Sequence, residues 1–352
     1  MRTMVLALGL VLGLAVGSSQ AADPTIMTGK PSGTYIRFGQ DIARLASHFD
    51  LHLKVEPSAG SLDNVEAVLR RPNTPLGIVQ SDVLDFVATF ADDEDLRRTA
   101  AAMRMVFPLY SEEVHLLARP GIGSLADLNG KRVAVGAPTS GTLLTATLML
   151  ASAGIEPAEE VEIDTTEALT ALREQQIDAM FYVAGRPAKL FTSEVTAADG
   201  FHLVPITDPL VHQLYQSTSI PAGTYPWQTA DVPTVAVRAV LMTYDYAKRN
   251  AYHRTACATV GKVARMIASN LEWLRGEGRG HPKWREADLD AGLVSWERST
   301  CAEAGLNGPE AYLISVSRTT SCEDPNPIRH KLCLVKQQMR QQIMPDATAK
   351  LM

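Results

Sequence analysis

The chain has 352 residues, 46% hydrophobic and 6% aromatic, which is long for a single core and suits two lobes of an α/β protein. Its formal charge of −6 argues against a nucleic-acid binder and against adsorption to anionic lipid. The eight histidines are scattered and no Cys-x-x-Cys occurs, so neither a metal site nor any other cofactor is expected.

In chain order, MRTMVLALGLVLGLAVGSSQA comes first, with Arg2 near the amino terminus, an apolar stretch over residues 4–16, and small Ser19 and Ala21. This pattern reads as a secretory signal over residues 1–21, cleaved after Ala21. Its apolar core falls short of the roughly 20 residues a membrane span needs. A periplasmic, exported chain follows as the expectation.

Periodicity then predicts a strand at 25–27 and an amphipathic helix over 35–48, with Ile36, Ile42, Leu45 and Phe49 near helical spacing. Strands at 51–56, 76–79 and 114–118 and helices over 62–70 and 82–90 continue the alternation. A second unit opens at Gly121. Ser124 with Asp127 reads as a capping box, Asn129-Gly130 as a turn, and 132–135 as a strand. The helix after TSGTL should end at Gly154. Strands at 161–163 and through IDAMFYVA flank a helix over 166–175. Residues 221–233 carry three prolines and read as a connection, PTVAVRAVLMTY as an apolar run, and 252–274 as one long helix. Alternating strands and helices imply mainly parallel sheets flanked by helices. The predicted organisation is a hinged pair: lobe I from 22–114 plus 235–352, and lobe II from 115–234. The crossings would lie near residues 113–117 and 235–242.

Ser-Gly-Thr occurs twice, in PSGTY (31–35) and TSGTL (139–143), each time between a predicted strand and a predicted helix. A helix start exposes about four unpartnered amides and roughly half a positive charge. Gly33 and Gly141 let a ligand approach those amides, while Ser32, Thr34, Ser140 and Thr142 add hydroxyls that can cap the helix or meet an anion. Two such loops, one per lobe, suit a carboxylate held across a cleft. A cap-and-turn role is the structural alternative. Neither a phosphate-binding P-loop nor a G-x-G-x-x-G fingerprint is present. Gln80, Ser81 and Asp82 fall where a strand becomes a helix; Asp82 reads as an N-cap or, facing the cleft, as a partner for a ligand ammonium. Tyr182, Gly185 and Arg186 fall at another strand end, where Arg186 can clamp a carboxylate or be a solvated surface arginine.

All four cysteines, Cys257, Cys301, Cys322 and Cys333, lie in the last third, and export favours disulfides. Three pairings are open to them, and sequence alone does not choose. Cys257 with Cys301 and Cys322 with Cys333 is the pairing carried forward.

GKPSGTYIRFGQDIARL, SAGSLDNVEAV, PLGIVQSDV, LYSEEVHLLARPGIGSLADLNGKRVAVGAPTSGT and ALREQQIDAMFYVAGRP, in that order, resemble the TAXI family. These are the extracytoplasmic solute receptors of tripartite ATP-independent periplasmic (TRAP) transporters. The resemblance runs from about residue 25 to 275. It implies a two-lobed, type II-like periplasmic binding protein, monomeric, that closes on a small amino or keto acid such as glutamate or 2-oxoglutarate. It further implies delivery to TRAP permease subunits. By position, the ligand loops would be Gly33-Thr34-Tyr35, Gln80-Ser81-Asp82, Ser140-Gly141-Thr142 and the loop of residues 184–187, with Ser58, Gly60 and Ser61 beside them. GHPKWREADL and the cysteine-bearing extension from about 276 to 352 depart from the family pattern.

Capture without chemistry is the leading expectation. A ligand sensor for a membrane signalling protein would use the same cleft. An exported hydrolase would need a nucleophile and base, and no G-x-S-x-G or H-E-x-x-H appears; Ser140 with a distant His115 is the remaining arrangement of that kind.

Overall fold

A computed structural model describes residues 22–314 except 32, 93, 247–249, 310 and 311, together with residue 331. The signal segment, Ser32, Cys322 and Cys333 lie outside the described residues, and with them the second expected cysteine pair.

Strands β1 (Thr25–Met27), β2 (Lys54–Glu56) and β3 (Leu76–Gln80) alternate with helices α1 (Thr34–Ser47) and α2 (Ser61–Arg70). Helices α3 (Val83–Phe90) and α4 (Glu94–Ala101) lead into the long strand β4 (Met103–Ala118). A second series repeats the plan: β5 (Arg132–Ala134), α5 (Gly141–Ala153), β6 (Glu159–Val161), α6 (Thr165–Arg173) and β7 (Ala179–Ala184). Then come α7 (Lys189–Ser193), β8 (His202–Leu203), α8 (Val211–Leu214), β9 (Gln216–Ile220) and the long β10 (Val232–Tyr244). Helices α9 (Ala251–Ser269), α10 (Leu271–Arg275) and α11 (Thr300–Leu306) follow.

The strands form one path, β2-β1-β3-β10-β4-β7-β5-β6. Two parallel triplets sit at its ends, and the same order, second-first-third, recurs in both. In each triplet the third strand meets a long antiparallel strand: β10 for β3 and β4 for β7. Those two long strands join the halves. β4 leaves β10 and takes up β7 at Glu113, while β10 passes from β9 to β3 between Ala236 and Ala239. The register of β10 against β4 slips between Arg238 and Val240, in the same stretch.

Helix α1 buries Ile36, Phe38, Ile42 and Leu45 against the first triplet. Phe38 is held between the Tyr110 ring at 4.7 Å and the Trp284 ring at 4.4 Å. The second triplet is covered on one side by Met149 and Leu150 of α5 and on the other by Leu169 and Leu172 of α6. Each such fully buried side chain contributes roughly 1.5–3 kcal/mol. Ser124 and Asp127 form the expected capping box, and Gly154 closes α5 in the left-handed conformation.

The strand expected at 161–163 lies two residues earlier, at Glu159–Val161, and two larger expectations change. β4 starts 11 residues before the predicted strand at 114–118, because Pro108, which lacks an amide proton, and the acids Glu112 and Glu113 interrupt what would read as an apolar run. The single helix expected over 252–274 divides at Asn270, whose side-chain amide donates to the Met266 carbonyl at 2.8 Å.

Cys257 and Cys301 form the expected bridge, tying α9 to α11 across 44 residues. The two backbones touch there: a Cβ on Gly261 would lie 2.9 Å from the Cys301 carbonyl oxygen. Closing a loop of that length restricts the unfolded chain, an effect typically worth about 2–4 kcal/mol. Urea unfolding of Cys257→Ser with Cys301→Ser should show a loss in that range; an unchanged midpoint would leave the bridge without a stabilising role.

Candidate functional site

β3 is buried along its whole length and delivers Gln80, Ser81 and Asp82 to the junction of the two halves. Gly60, at φ 144°, lets the chain before α2 press directly on the start of α5, where an added Cβ would meet the Ser140 Cα at 2.8 Å. The Leu62 amide donates to the Thr139 carbonyl at 3.3 Å. Gly141 packs on the Gln80 side-chain oxygen and the Ser61 hydroxyl. The second Ser-Gly-Thr loop is thus seated on residues 60–62 and Gln80, whereas a Cβ at Gly33 would have only the Lys30 backbone within 4 Å.

Asp82 reaches further across. Its Oδ2 accepts from the Thr145 hydroxyl of α5 at 2.8 Å and from the Tyr215 hydroxyl at 3.1 Å. The cap reading is corrected here: the Asp82 side chain makes no capping bond to α3 and is committed to the other half of the sheet. Asp82 Oδ1 and Gln80 Oε1 are buried without a partner among the described residues. Burial pushes the Asp82 carboxyl up to about 6 against the opposing pull of the two hydroxyls.

A second buried acid lies within electrostatic reach. Glu112 of β4 accepts from the Tyr35 hydroxyl at 2.7 Å and from Tyr110 at 3.4 Å, and Thr34 is bonded in turn to Tyr110. Burial carries Glu112 up to about 8; Tyr35, Lys283 and Tyr110 pull it down, and Asp82 adds a smaller upward push. Burial and the Glu112 charge likewise hold the Tyr182 phenol up at about 12.

Arg186 is not a free clamp: its side chain, 31% exposed, is already engaged. Its amide donates to Glu113 Oε2 at 2.8 Å, its Nε lies 3.3 Å from Glu113 Oε1, and its guanidinium bonds the Ser219 carbonyl. Gly185 beside it packs on Tyr110 and Lys283. Several other predicted hydroxyls are already engaged. Ser140 caps α5 by accepting from the Leu143 amide, Thr142 accepts from the Val183 amide, and Ser61 accepts from the Gln80 amide. Ser58 donates to the Thr28 carbonyl, and Ser81 accepts from the Arg238 amide. His115 is engaged at both ring nitrogens, Nε2 with Tyr225 and Nδ1 with the Glu113 and Tyr182 carbonyls. Burial holds it down at about 4, so it is in no position to act as a base for Ser140.

The model of the NMT1-like family matches residues 26–256. The chain belongs to the NMT1-like family. Solved structures with a similar course include Tv2483 bound to L-arginine, at 12% identity and a TM-score of 0.46, covering 77% of this chain and 95% of that one. A putative periplasmic sulfonate-binding protein, SsuA from Methylobacillus flagellatus KT, has 14% identity and a TM-score of 0.45, covering 75% and 72%. The periplasmic binding protein BugD has 9% identity and a TM-score of 0.42, covering 69% and 82%.

Within the NMT1-like stretch, sequence reasoning missed Tyr110, Glu112, Glu113, Thr145 and Tyr215. Two adjacent acids inside the run LYSEEVHLL were a legible warning, since an interior strand carries charge only when it is paired or used. Thr145 and Tyr215 had no linear signal. Lys283 lies beyond the NMT1-like match, yet its ammonium sits 3.5 Å from Glu113.

The raised acids predict a pH dependence. Glu112 holds its proton in the folded state from its ordinary 4.5 up to about 8, so its burial costs stability as pH rises through that window. His115 acts in the opposite sense, below its ordinary 6.5, and Asp82 titrates near 6. From pH 6.5 to 8 the Glu112 effect governs, and the thermal midpoint should fall as pH rises. Glu112→Gln should flatten that slope; an unaltered slope would remove Glu112 as its source.

Proposed function

We propose that this NMT1-like protein is an exported solute receptor whose two lobes, 22–114 plus 235–352 and 115–234, close on a small amino-bearing carboxylic acid and release it to a TRAP-type permease. Asp82 carries the reading. It is a buried carboxylate of one half, gripped by hydroxyls of the other, with Oδ1 and the neighbouring Gln80 Oε1 both left as acceptors. An ammonium is the complementary group, with three donors and no acceptor. A keto acid in the same place would meet charge repulsion, so the amino acid is favoured over its 2-oxo counterpart. The ligand carboxylate is assigned to the first-turn amides at Thr34-Tyr35, beside Gly33, whose own amide is taken by the Lys30 carbonyl, and at Gly141-Thr142, where the helix dipoles favour an anion. Tyr182 and Ser61 complete the lining. The TAXI-like motifs support the permease partner, and residues 1–21 support export to the periplasm.

Only contacts that differ between open and closed forms shift that equilibrium. A ligand bridging Asp82 and the α5 amides makes part of its contacts only on closure, and no covalent step is required. Purified protein should therefore show a raised thermal midpoint with one or more amino acids in a carboxylic-acid screen. Asp82→Asn should weaken that binding at least about tenfold, as expected for a lost charge-assisted hydrogen bond. Turnover of the ligand by the pure protein, or stabilisation by none of the acids, would contradict the assignment.

A further inference from the structure

The segment from His281 to Glu286 lies outside the NMT1-like match and is built into the junction. Trp284 anchors it on the first half: the indole is fully buried, stacks on Phe38 at 4.4 Å, and donates to Asp41 Oδ2 at 2.9 Å. The His281 amide donates to the same oxygen at 2.6 Å. The next residue back, Lys283, points the other way. Its side chain is 6% exposed, and its ammonium lies 3.5 Å from Glu113 Oε2, 2.9 Å from Glu286 and 3.2 Å from the Ser111 carbonyl.

Glu113 is the residue at which β4 changes partners, paired with Ala236 of β10 on one side and Ala184 of β7 on the other. Its carboxylate is also the acceptor for Arg186, in the loop after β7. One buried carboxylate therefore joins the carboxyl-terminal segment, the strand that links the halves, and a loop of the second half. A buried ion pair adds little net stability, but removing one partner strands the other, so such a pair defines geometry sharply.

We propose that Lys283 is a positioning residue: with Trp284 as its anchor it clamps β4 at Glu113 and holds the two halves of this NMT1-like protein toward the closed arrangement. The clamp rests on the proposed opening and closing of the receptor but needs no ligand to be observed.

The test is amide hydrogen exchange of the ligand-free protein, comparing wild type with Lys283→Met. Residues 60–64 and 139–145, where the halves touch, should exchange roughly tenfold faster in the variant, while β5 and β7 stay protected. Faster exchange confined to 281–286 would overturn the clamp. Lys283→Gln keeps a donor for the Ser111 carbonyl and leaves the Arg186–Glu113 pair in place, so it serves if the methionine variant does not fold. It should show the same loosening at 60–64 and 139–145, and wild-type exchange there would overturn the proposal. Failure of every acid to stabilise the protein would sink the receptor reading and leave this comparison standing.

Discussion

Asp82 sits on one half of a continuous sheet while the hydroxyls that satisfy it, Thr145 and Tyr215, belong to the other. Glu112 lies within reach of the same charge, held by Tyr35 and Tyr110. Keeping two carboxyl groups out of water is costly, and each is partly compensated by hydroxyl donors. Such an arrangement is wasteful as architecture alone, because apolar residues of similar volume would pack as well. On the proposed reading, a ligand cation completes it. The contacts at Gly60, Gly141 and Leu62 then act as the surface on which the halves meet.

The β4 and β10 strands make such a meeting possible. Both run from one parallel triplet to the other, so the proposed opening and closing would be absorbed where these strands change partners, near Glu113 and Arg238. The same stretch carries the slipped register of β10 and the Arg186–Glu113–Lys283 charges. The NMT1-like match accounts for the strands and their helices; the carboxyl-terminal segment supplies Lys283 and Trp284 from outside it.

Much of the fold was legible because the strands of its two triplets are short and separated by helices, with a clear 3.6 period in α1 and α2. The repeated Ser-Gly-Thr did mark two helix starts. What it left open was which surfaces those starts would touch. TSGTL meets residues 60–62 and Gln80 because Gly60 permits a backbone approach that no linear pattern announces. Asp82 looked like a cap because caps are read from one residue and its neighbours, while its true partners are 63 and 133 positions away. Glu112 and Glu113 were passed over for a related reason: acids are ordinarily assigned to solvent, and here tertiary pairing overrides that assignment.

The central claim is that these buried acids await a cation, and proton linkage tests it most directly. Titration calorimetry with L-glutamate at pH 6, in buffers of different ionisation enthalpy, reports the protons exchanged on binding. An ammonium arriving beside Asp82, which titrates near 6, should hold that carboxyl ionised and release the proton it partly carries to the buffer. Binding with proton uptake, or with no exchange of protons at all, would contradict the account.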